Sequence, residues 1–330
     1  MSTQKKIRWL YLALALCLCG LSLSMSLVAP ARTHADNTSE NPIVFSDTGV
    51  SVESVMQYWT PRRMASALSA DMPAIDEKKV AVPRVARQTH VHQAAISQPT
   101  LSAADPANPL YQVVGKVFFS NNGKDFVCTG TSVASLNRSL VDTAGHCVVN
   151  NKHFVSNWVF CPVYTGNGCH FYVAKILATD KIWLDHSDRP DGWYGDDLGM
   201  AVVAPATAGG KKLADAFGSV SGLANVDYVA RKYLAVGYPA APPFTGKMQL
   251  KCESPVLKTD DNQNTDSPLG VACDMTGGSS GGGWFITING QLYLNGHTSY
   301  GYNNDPGVLY SPYFNNTWLD LFRATQVIAV

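Results

Sequence analysis

The chain has 330 residues, and its 25 basic side chains balance its 25 acidic ones, so its formal net charge at pH 7 is zero. Charged residues make up only 15% of the sequence, and no internal repeat is visible. This balance provides no electrostatic attraction to nucleic acid or to an anionic membrane surface.

Residues 1–35 have the layout of a secretory signal peptide. Basic residues come first, a long apolar run follows, and small residues that suit cleavage end at Ala31 or Ala35. An uncleaved N-terminal anchor is the alternative, because about 20 apolar residues suffice to span a bilayer. We expect a secreted, extracellular protein with no stable membrane association after this segment is removed.

Residues 36–108 differ in composition from the rest of the chain and are interpreted as a pro-segment. They are rich in Ala, Ser, Pro and Gln, with a helix-like stretch at 59–67 and little strand pattern. Cleavage near Arg84 or Arg87, or closer to Pro109, would separate them from the remainder. The mature chain is therefore expected to begin close to that proline.

The rest of the chain predicts an all-β domain. Short apolar or alternating runs are separated by Gly, Asn and Pro, a pattern that is typical of a barrel or a sandwich. The predicted strands are residues 113–119, 139–143, 171–178, 198–203, 233–237, 284–288 and 291–294.

Two motifs suggest chemistry. The first is Thr-Ala-Gly-His-Cys at 143–147, which follows an apolar run and lies downstream of Cys128 in Cys-Thr-Gly-Thr. The second is Thr-Gly-Gly-Ser-Ser-Gly-Gly-Gly at 276–283. Each glycine inside an element costs roughly 0.5–1 kcal/mol relative to alanine, so this cluster indicates backbone that approaches a ligand closely. An acyl group beside a nucleophilic serine is such a ligand, although a solvated linker explains the second motif equally well when it is taken alone.

Together these motifs resemble those of chymotrypsin-like serine peptidases, in particular the secreted bacterial branch that includes the glutamyl endopeptidases. The resemblance implies a serine endopeptidase domain at 109–330 with two antiparallel β-barrels and the catalytic residues in the crevice between them. The N-terminal barrel would cover about residues 109–210, the C-terminal barrel about 225–315, and a terminal helix about 316–327. It also implies a disulfide between Cys128 and Cys147, near the catalytic histidine.

The resemblance orders the catalytic triad as His, Asp and Ser along the chain. Asp197 is the carboxylate that leads directly into the next predicted strand, whereas Asp196 is one residue out of register. Ser280 would attack the substrate, His146 would act as general base, and Asp197 would orient the imidazole. Backbone N–H groups of Gly278 and Ser280 would stabilise the oxyanion.

Ser279 stands directly before Ser280, where trypsin-like zymogens keep an aspartate. That aspartate pairs with the new N-terminus when such a zymogen is cut, so this switch cannot operate here. We therefore expect control through removal of a blocking pro-segment.

Three residues are candidates for binding the substrate residue that precedes the cleaved bond. Asp274 stands six residues before Ser280, where trypsin-like enzymes keep the carboxylate that binds Lys or Arg. His297 resembles the histidine that meets a substrate glutamate in glutamyl endopeptidases. Aligning Ser299 with the Ser-Trp-Gly stretch of animal peptidases instead turns His297 away from the pocket. Both preferences stay open, with a slight lean to an acidic one.

Six of the eight cysteines lie beyond the predicted signal peptide, and an even number outside the cytosol indicates disulfides. Proximity along the chain pairs Cys161 with Cys169 and Cys252 with Cys273. The spacing of cysteines and histidines does not indicate a metal site, and no cofactor is expected.

Two other classes of protein stay open. A catalytically inactive member of the same fold would serve as a binding module, because a fold does not determine a function. An α/β-hydrolase would use the same residue types, but its triad order is Ser, Asp, His and its strands alternate with helices. The favoured interpretation is a monomeric enzyme that acts on proteins or peptides, with no nucleic-acid partner.

Overall fold

The computed structural model describes residues 42–70, 74–75, 102–105, 107–166, 168–206 and 210–330. Its strands are β1 (Ile43–Asp47), β2 (Leu68–Ser69), β3 (Ala74–Ile75), β4 (Ser102–Ala103), β5 (Val114–Asn121), β6 (Lys124–Val133), β7 (Leu140–Ala144), β8 (Val149–Asn150), β9 (His153–Phe154), β10 (Ser156–Pro162), β11 (Tyr172–Asp180), β12 (Leu198–Pro205), β13 (Lys232–Gly237), β14 (Leu250–Thr259), β15 (Leu269–Ala272), β16 (Gly283–Ile288), β17 (Gln291–His297), β18 (Tyr300–Tyr302) and β19 (Val308–Ser311). Its α-helices are α1 (Val52–Tyr58), α2 (Pro61–Ser66), α3 (Pro109–Gln112), α4 (Lys181–His186), α5 (Leu213–Phe217) and α6 (Asn316–Thr325).

Several sequence predictions fall outside this description. The predicted signal peptide lies outside the described residues, and so do Arg84 and Arg87, the predicted cleavage points. Among the helices that are described, none is long and apolar enough to cross a membrane.

Six strands of the first sheet close into a barrel. They follow the order β11-β10-β5-β6-β7-β12, and β12 pairs back with β11, all in antiparallel pairs. β5 and β6 form a hairpin because Asn122 and Gly123, both with positive φ, make a two-residue turn that matches the twist of the strands. Val117, Val141 and Phe160 are among the side chains that fill the core of this barrel.

The second sheet curls into a half-barrel. Its strands follow the order β17-β16-β13-β14-β15-β19-β18 in antiparallel pairs, and the described pairings do not join its two ends. Tyr233, Trp284 and Ile286 lie in its buried core. The predicted all-β fold of chymotrypsin type is confirmed, with a second barrel that is curled rather than closed.

Helix α6 closes the chain, as the sequence predicts. It begins after Asn315, whose side chain accepts hydrogen bonds from the backbone N–H groups of Thr317 and Trp318. Trp318 and Leu321 face inward and pack on a buried cluster to which both sheets contribute. The helix therefore covers the seam between the two sheets.

The structure contains the three predicted disulfides, Cys128–Cys147, Cys161–Cys169 and Cys252–Cys273. The first joins β6 to the turn after β7, and the third joins β14 to the end of β15. Three such bonds are typical of a protein that folds in an oxidising compartment.

The chain before the barrels contains more strand than its sequence indicates. β1 pairs with β11 at the edge of the first sheet, while β2, β3 and β4 pair with β6, β18 and β14. Ser51 and Thr60 cap α1 and α2 with side-chain hydrogen bonds, and Pro61 follows at the first helical position. The short strands take their hydrogen bonds from the barrels, so no local alternating pattern is needed to form them.

Candidate active site

His146 lies in a single 3₁₀ turn, Gly145–Cys147, that follows β7 directly. The disulfide from Cys147 to Cys128 ties this turn to the neighbouring strand β6. Gly145 packs so closely on Trp183 that a Cβ there would lie 2.7 Å from the indole ring. The disulfide and the packing of Gly145 on Trp183 therefore fix the backbone of His146, independently of the contacts of its side chain.

Asp197 is the carboxylate that contacts His146. Its Oδ2 atom lies 2.9 Å from Nδ1 of the imidazole, and its Oδ1 atom accepts a 2.7 Å hydrogen bond from the His146 backbone N–H. The hydroxyl of Ser299 also donates to Oδ2, at 2.5 Å. Burial by itself would raise the pKa of Asp197, but His146, Ser299 and His297 together hold the pKa below its ordinary value. The carboxylate is therefore ionised, and it orients the ring of His146.

The neighbouring Asp196 does not join this contact. It ends a 3₁₀ turn, Tyr194–Asp196, and its side chain is buried. Burial, followed by the charges of Asp180 and Asp266, raises the pKa of Asp196 to about 8. Of the two adjacent aspartates, the structure brings only Asp197 to the histidine.

Ser280 lies in the tight turn that precedes β16. The Gly277 carbonyl oxygen accepts a 2.7 Å hydrogen bond from the Ala240 N–H, and the C=O and N–H of a trans peptide point in opposite directions. The Gly278 N–H therefore points away from Ala240. Within the described residues, neither the Gly278 nor the Ser280 N–H donates to another protein group. Both groups predicted for the oxyanion site are thus unpaired.

The turn around Ser280 is packed against the first barrel. A Cβ on Gly281, whose φ is +77°, would lie 2.1 Å from the Thr143 hydroxyl and 2.3 Å from the Thr129 carbonyl oxygen. The Thr129 hydroxyl donates to the Gly278 carbonyl oxygen at 2.8 Å. The glycine-rich motif is therefore a close approach of backbone to backbone and not a solvated linker.

The remaining atoms of the predicted triad are both unpaired. The hydroxyl oxygen of Ser280 and the Nε2 atom of His146 are buried, and neither has a hydrogen-bond partner among the described residues. Ser280 as a whole is 0% exposed. Buried polar atoms normally have partners, so an unpaired atom on each of these two residues makes both of them candidates for a functional role.

His297 does not lie where an acidic substrate side chain could reach it. It is fully buried, its Nδ1 atom lies 2.9 Å from Oδ2 of Asp142, and its Nε2 atom lies 2.9 Å from the carbonyl oxygen of Asp197. Ser299 points to Asp197 and not into the pocket. These contacts match the alignment that turns His297 away from the pocket. The expected contact of His297 and of the Ser299 side chain with substrate therefore has no support in the structure.

Asp274 is the predicted specificity residue that does line a pocket. The pocket has a volume of about 350 Å³ and lies beside Thr276, where the Ser280 loop begins. Asp274 is exposed, and it has neither an ion pair nor a hydrogen bond with another described residue. No Lys, Arg or His lines the described pocket, and its second carboxylate, Asp305, pairs with Lys258.

Sequence reasoning missed Asp142 and Trp318, which form the surroundings of His297. Oδ1 of Asp142 accepts a 2.8 Å hydrogen bond from the Trp318 indole N–H. A lone aspartate inside the apolar strand Leu-Val-Asp-Thr-Ala was the available signal, because a buried charge needs a partner. The partner itself lies 155 residues away and could not be read from the strand.

No protein-family model and no curated protein matches the chain, but solved structures do. It is similar to the protease Anisep from Arthrobacter nicotinovorans, with 31% identity and a TM-score of 0.60, where 69% of this chain covers all of that one. It is also similar to the thermostable serine protease AL20 from an extremophilic microorganism, with 35% identity and a TM-score of 0.57, where 67% of this chain covers all of that one. A Glu endopeptidase in complex with MPD, at 17% identity and a TM-score of 0.52, shares the fold, and 72% of this chain covers all of it.

The fold and these similarities define a peptide-hydrolysing enzyme of the serine class. The chain belongs to the family of chymotrypsin-like serine proteases.

Proposed function

We propose that the protein is a secreted serine endopeptidase in which Ser280, His146 and Asp197 form the catalytic triad. The observation that carries this proposal is the arrangement around His146. Asp197 binds both the backbone N–H and the Nδ1 side of the imidazole, while Nε2 and the Ser280 hydroxyl stay buried without partners. In the active form the Ser280 hydroxyl would donate to Nε2 of His146, a catalytic hydrogen bond of the kind that is often long without substrate and tightens when substrate binds.

The chemistry follows from these positions. Ser280 attacks the peptide carbonyl carbon while His146 takes the hydroxyl proton on Nε2, and Asp197 stabilises the imidazolium that forms. The N–H groups of Gly278 and Ser280 bind the oxyanion of the tetrahedral intermediate. His146 then gives its proton to the leaving amine, which departs and leaves an acyl-enzyme. Water, activated by His146, attacks the ester carbonyl, and the Ser280 oxygen takes the proton back as the acid product leaves.

The test is a pair of serine variants. Ser280→Ala should abolish casein hydrolysis by the processed enzyme, down to the residual rate that binding and oxyanion stabilisation provide. Ser279→Ala is the matched control, because its hydroxyl donates to the Thr276 carbonyl oxygen and faces away from the reaction. Near-normal activity in Ser280→Ala, or its loss only in Ser279→Ala, would remove Ser280 from the mechanism. The same assay excludes an inactive binding module if the parent enzyme cleaves casein.

We also propose that the chain is made as a precursor whose residues 36–108 block the site until they are cut away. Val55, Trp59 and Met64 are buried in a cluster with side chains of the first barrel such as Phe118 and Val159. Burying a large apolar side chain contributes about 1.5–3 kcal/mol, so these three anchor the segment to the first barrel.

The anchored segment continues to the catalytic loop. Ala70 donates its N–H to the Val127 carbonyl oxygen, and a Cβ on Gly277 would lie 3.0 Å from the Ala70 carbonyl oxygen. β3 then pairs, in parallel, with Gly301 and Tyr302 on the pocket wall. Two described pieces of the segment thus contact the Ser280 loop and the pocket wall, which supports a blocked precursor.

The mature enzyme would begin near Pro109. About two thirds of this chain covers the whole length of each related protease. Residues 109–330 make up the same fraction of the chain. Intact-mass measurement of the secreted, active form should give a start close to Pro109, with activity that appears as the longer form disappears. A fully active product that retains residues 42–75 would contradict the blocking role.

For specificity we propose a preference for Lys or Arg before the cleaved bond, which was the alternative to the acidic preference. Asp274 provides an unpaired carboxylate in the pocket, whereas the described lining has no cation to receive a substrate glutamate. Cleavage of a mixed peptide library should show basic residues before the cleaved bond, and Asp274→Ser should abolish that preference. Asp227→Ser, an exposed aspartate outside the pocket, is the control. If the parent enzyme and Asp274→Ser both cleave after Glu, the proposed basic preference is wrong and the acidic preference is correct.

A further inference from the structure

A second histidine–aspartate pair lies directly behind the triad carboxylate. His297, at the end of β17, and Asp142, in β7, are both fully buried. The two ring nitrogens of His297 lie 2.9 Å from Oδ2 of Asp142 and 2.9 Å from the carbonyl oxygen of Asp197. The pair therefore joins the second sheet to the first at the point where the triad is assembled.

The hydrogen-bonding partners indicate which protons are present. A backbone carbonyl oxygen only accepts, so Nε2 of His297 must carry a proton to bond Asp197. Asp142 already accepts a hydrogen bond from the Trp318 indole N–H on its other oxygen. One proton lies between Nδ1 of His297 and Oδ2 of Asp142, and the negative charge of the nearby Asp197 favours its place on Nδ1. The ring is then an imidazolium paired with the Asp142 carboxylate.

The groups around the ring are consistent with this charge. Asp142 on β7 and Asp197 provide the negative charges near the ring. The Phe314 ring packs edge-on against the His297 ring, with 5.4 Å between the two ring centroids. Ser311 on β19 binds the His297 backbone N–H. Burial alone would lower the pKa of His297, but the two aspartates raise the pKa above its ordinary value.

Asp197 needs a partner for its carbonyl oxygen. Its backbone, at φ −70° and ψ 59°, departs from a strand conformation, and the pairing of β12 with β7 begins only at the next residue, Leu198. A buried carbonyl without a hydrogen bond is costly. His297 supplies that hydrogen bond, and so fixes the peptide from which the Asp197 side chain projects.

The segment that begins with His297 also holds the other side of the site. The Thr298 carbonyl oxygen accepts from the Gly281 N–H at 2.7 Å, and the Thr298 N–H donates to the Gly282 carbonyl oxygen at 2.9 Å. Ser299 then donates to the Asp197 carboxylate. Three consecutive residues thus bind both the turn that carries Ser280 and the aspartate that orients His146.

We propose that His297 is a positioning residue for the triad, acting as a buried imidazolium held by Asp142 that fixes the main chain of Asp197 against the Ser280 turn. This inference rests on the proposed function of the triad. It assigns His297 to catalysis through Asp197 and removes it from substrate binding.

The kinetic test compares two replacements in the processed enzyme. His297→Gln keeps an N–H donor for the Asp197 carbonyl oxygen, and His297→Leu keeps none. Per active site, counted by serine-directed titration, His297→Leu should lower kcat by about 10- to 100-fold, the scale of a misplacement of about 1 Å. His297→Gln should recover most of that loss, and KM should stay within about twofold in both.

The control and the contrary outcomes separate positioning from mere folding. His186→Gln is the control, because His186, which is partly buried, also contacts a backbone carbonyl oxygen, that of Ile182, at 2.8 Å, and it should leave kcat unchanged. Equal kcat per titrated site in His297→Leu and the parent enzyme would overturn the proposal. A change confined to KM would overturn it as well, because that result returns His297 to substrate binding.

A second measurement does not depend on activity. Nitrogen-15 NMR of the Ser280→Ala protein should show that His297 keeps both ring protons to a higher pH than a free histidine, whose pKa is about 6.5, whereas a ring that is already neutral at that pH would contradict the imidazolium. Absence of Ser280-dependent hydrolysis in the parent enzyme would instead count against the proposed function, and the NMR result would still decide the state of His297.

Discussion

The described part of the chain contains two buried histidine–aspartate pairs with nearly the same geometry and different surroundings. In His146–Asp197 and in His297–Asp142, Nδ1 lies 2.9 Å from a carboxylate oxygen. The Nε2 atom of His146 has no partner in the described residues, whereas that of His297 binds the Asp197 carbonyl oxygen. A histidine that is paired with an aspartate is therefore not a general base for that reason alone. A histidine can take the proton of a nucleophilic serine only where its second nitrogen has no other partner.

The first pair also differs in what its loss should affect. In the proposed mechanism Asp197 stabilises a charge that forms during the reaction, while in our inference Asp142 balances a charge that is present throughout. Removal of the first carboxylate should therefore act on the rate, and removal of the second on folding.

The largest effect is expected from Asp197→Asn. The amide cannot stabilise the imidazolium, and it favours the wrong tautomer of His146, so kcat should fall by about 10⁴-fold, as in a comparable triad. Asp196→Asn is the adjacent control and should change kcat little, because Asp196 does not contact His146. Steady-state kinetics on one peptide substrate measures both, and equal mild losses in the two variants would remove Asp197 from the triad.

Asp142→Ala should destabilise the fold by about 3–5 kcal/mol, because it leaves a buried imidazolium without its counter-charge. Asp215→Ala removes the partner of Arg138 in an exposed ion pair and should cost only about 0–1 kcal/mol. Urea unfolding compares the two free energies. A cost for Asp142→Ala no greater than that of Asp215→Ala would show that the second pair is uncharged.

The effect that depends most on pH is expected at Asp196, which is buried and does not contact His146. Burial first, and then Asp180 and Asp266, raises its folded-state pKa to about 8, while the unfolded chain ionises near 3.8. Between these values the unfolded state binds fewer protons, so the stability of the parent protein should fall as pH rises from about 4 to 8.

Asn cannot ionise, so the free energy of unfolding of Asp196→Asn relative to the parent protein should rise over the same pH range. The upper limit of this gain is about 1.4 kcal/mol per pKa unit. Urea unfolding at four pH values between 4 and 9 measures the slope. Asp185→Asn, on the surface, is the control and should keep the slope of the parent protein. If the dependence of unfolding free energy on pH is the same in Asp196→Asn and the parent protein, another group is responsible for it.

Much of the fold could be predicted from the chain alone. Every strand predicted from alternation or an apolar run is a strand in the structure, and the cysteines pair as their spacing and the family resemblance indicate. These signals are local, because a strand repeats every two residues and a hairpin turn depends on residues such as Asn122 and Gly123. The motifs around His146 and Ser280 are local too, and they identified the region in which the site lies.

Register and long-range pairing were decided only by the tertiary structure. His297 was a candidate for the pocket because a shift of one residue moves a side chain to the other face of a strand, and the sequence does not reveal that shift. Its partner Asp142, and the short strands β1 to β4 that attach the N-terminal segment, form through contacts with distant parts of the chain. The amino-acid sequence determined the strands and the reactive motifs, whereas the three-dimensional packing decided which histidine keeps an open nitrogen, because that depends on what the rest of the chain places beside each ring.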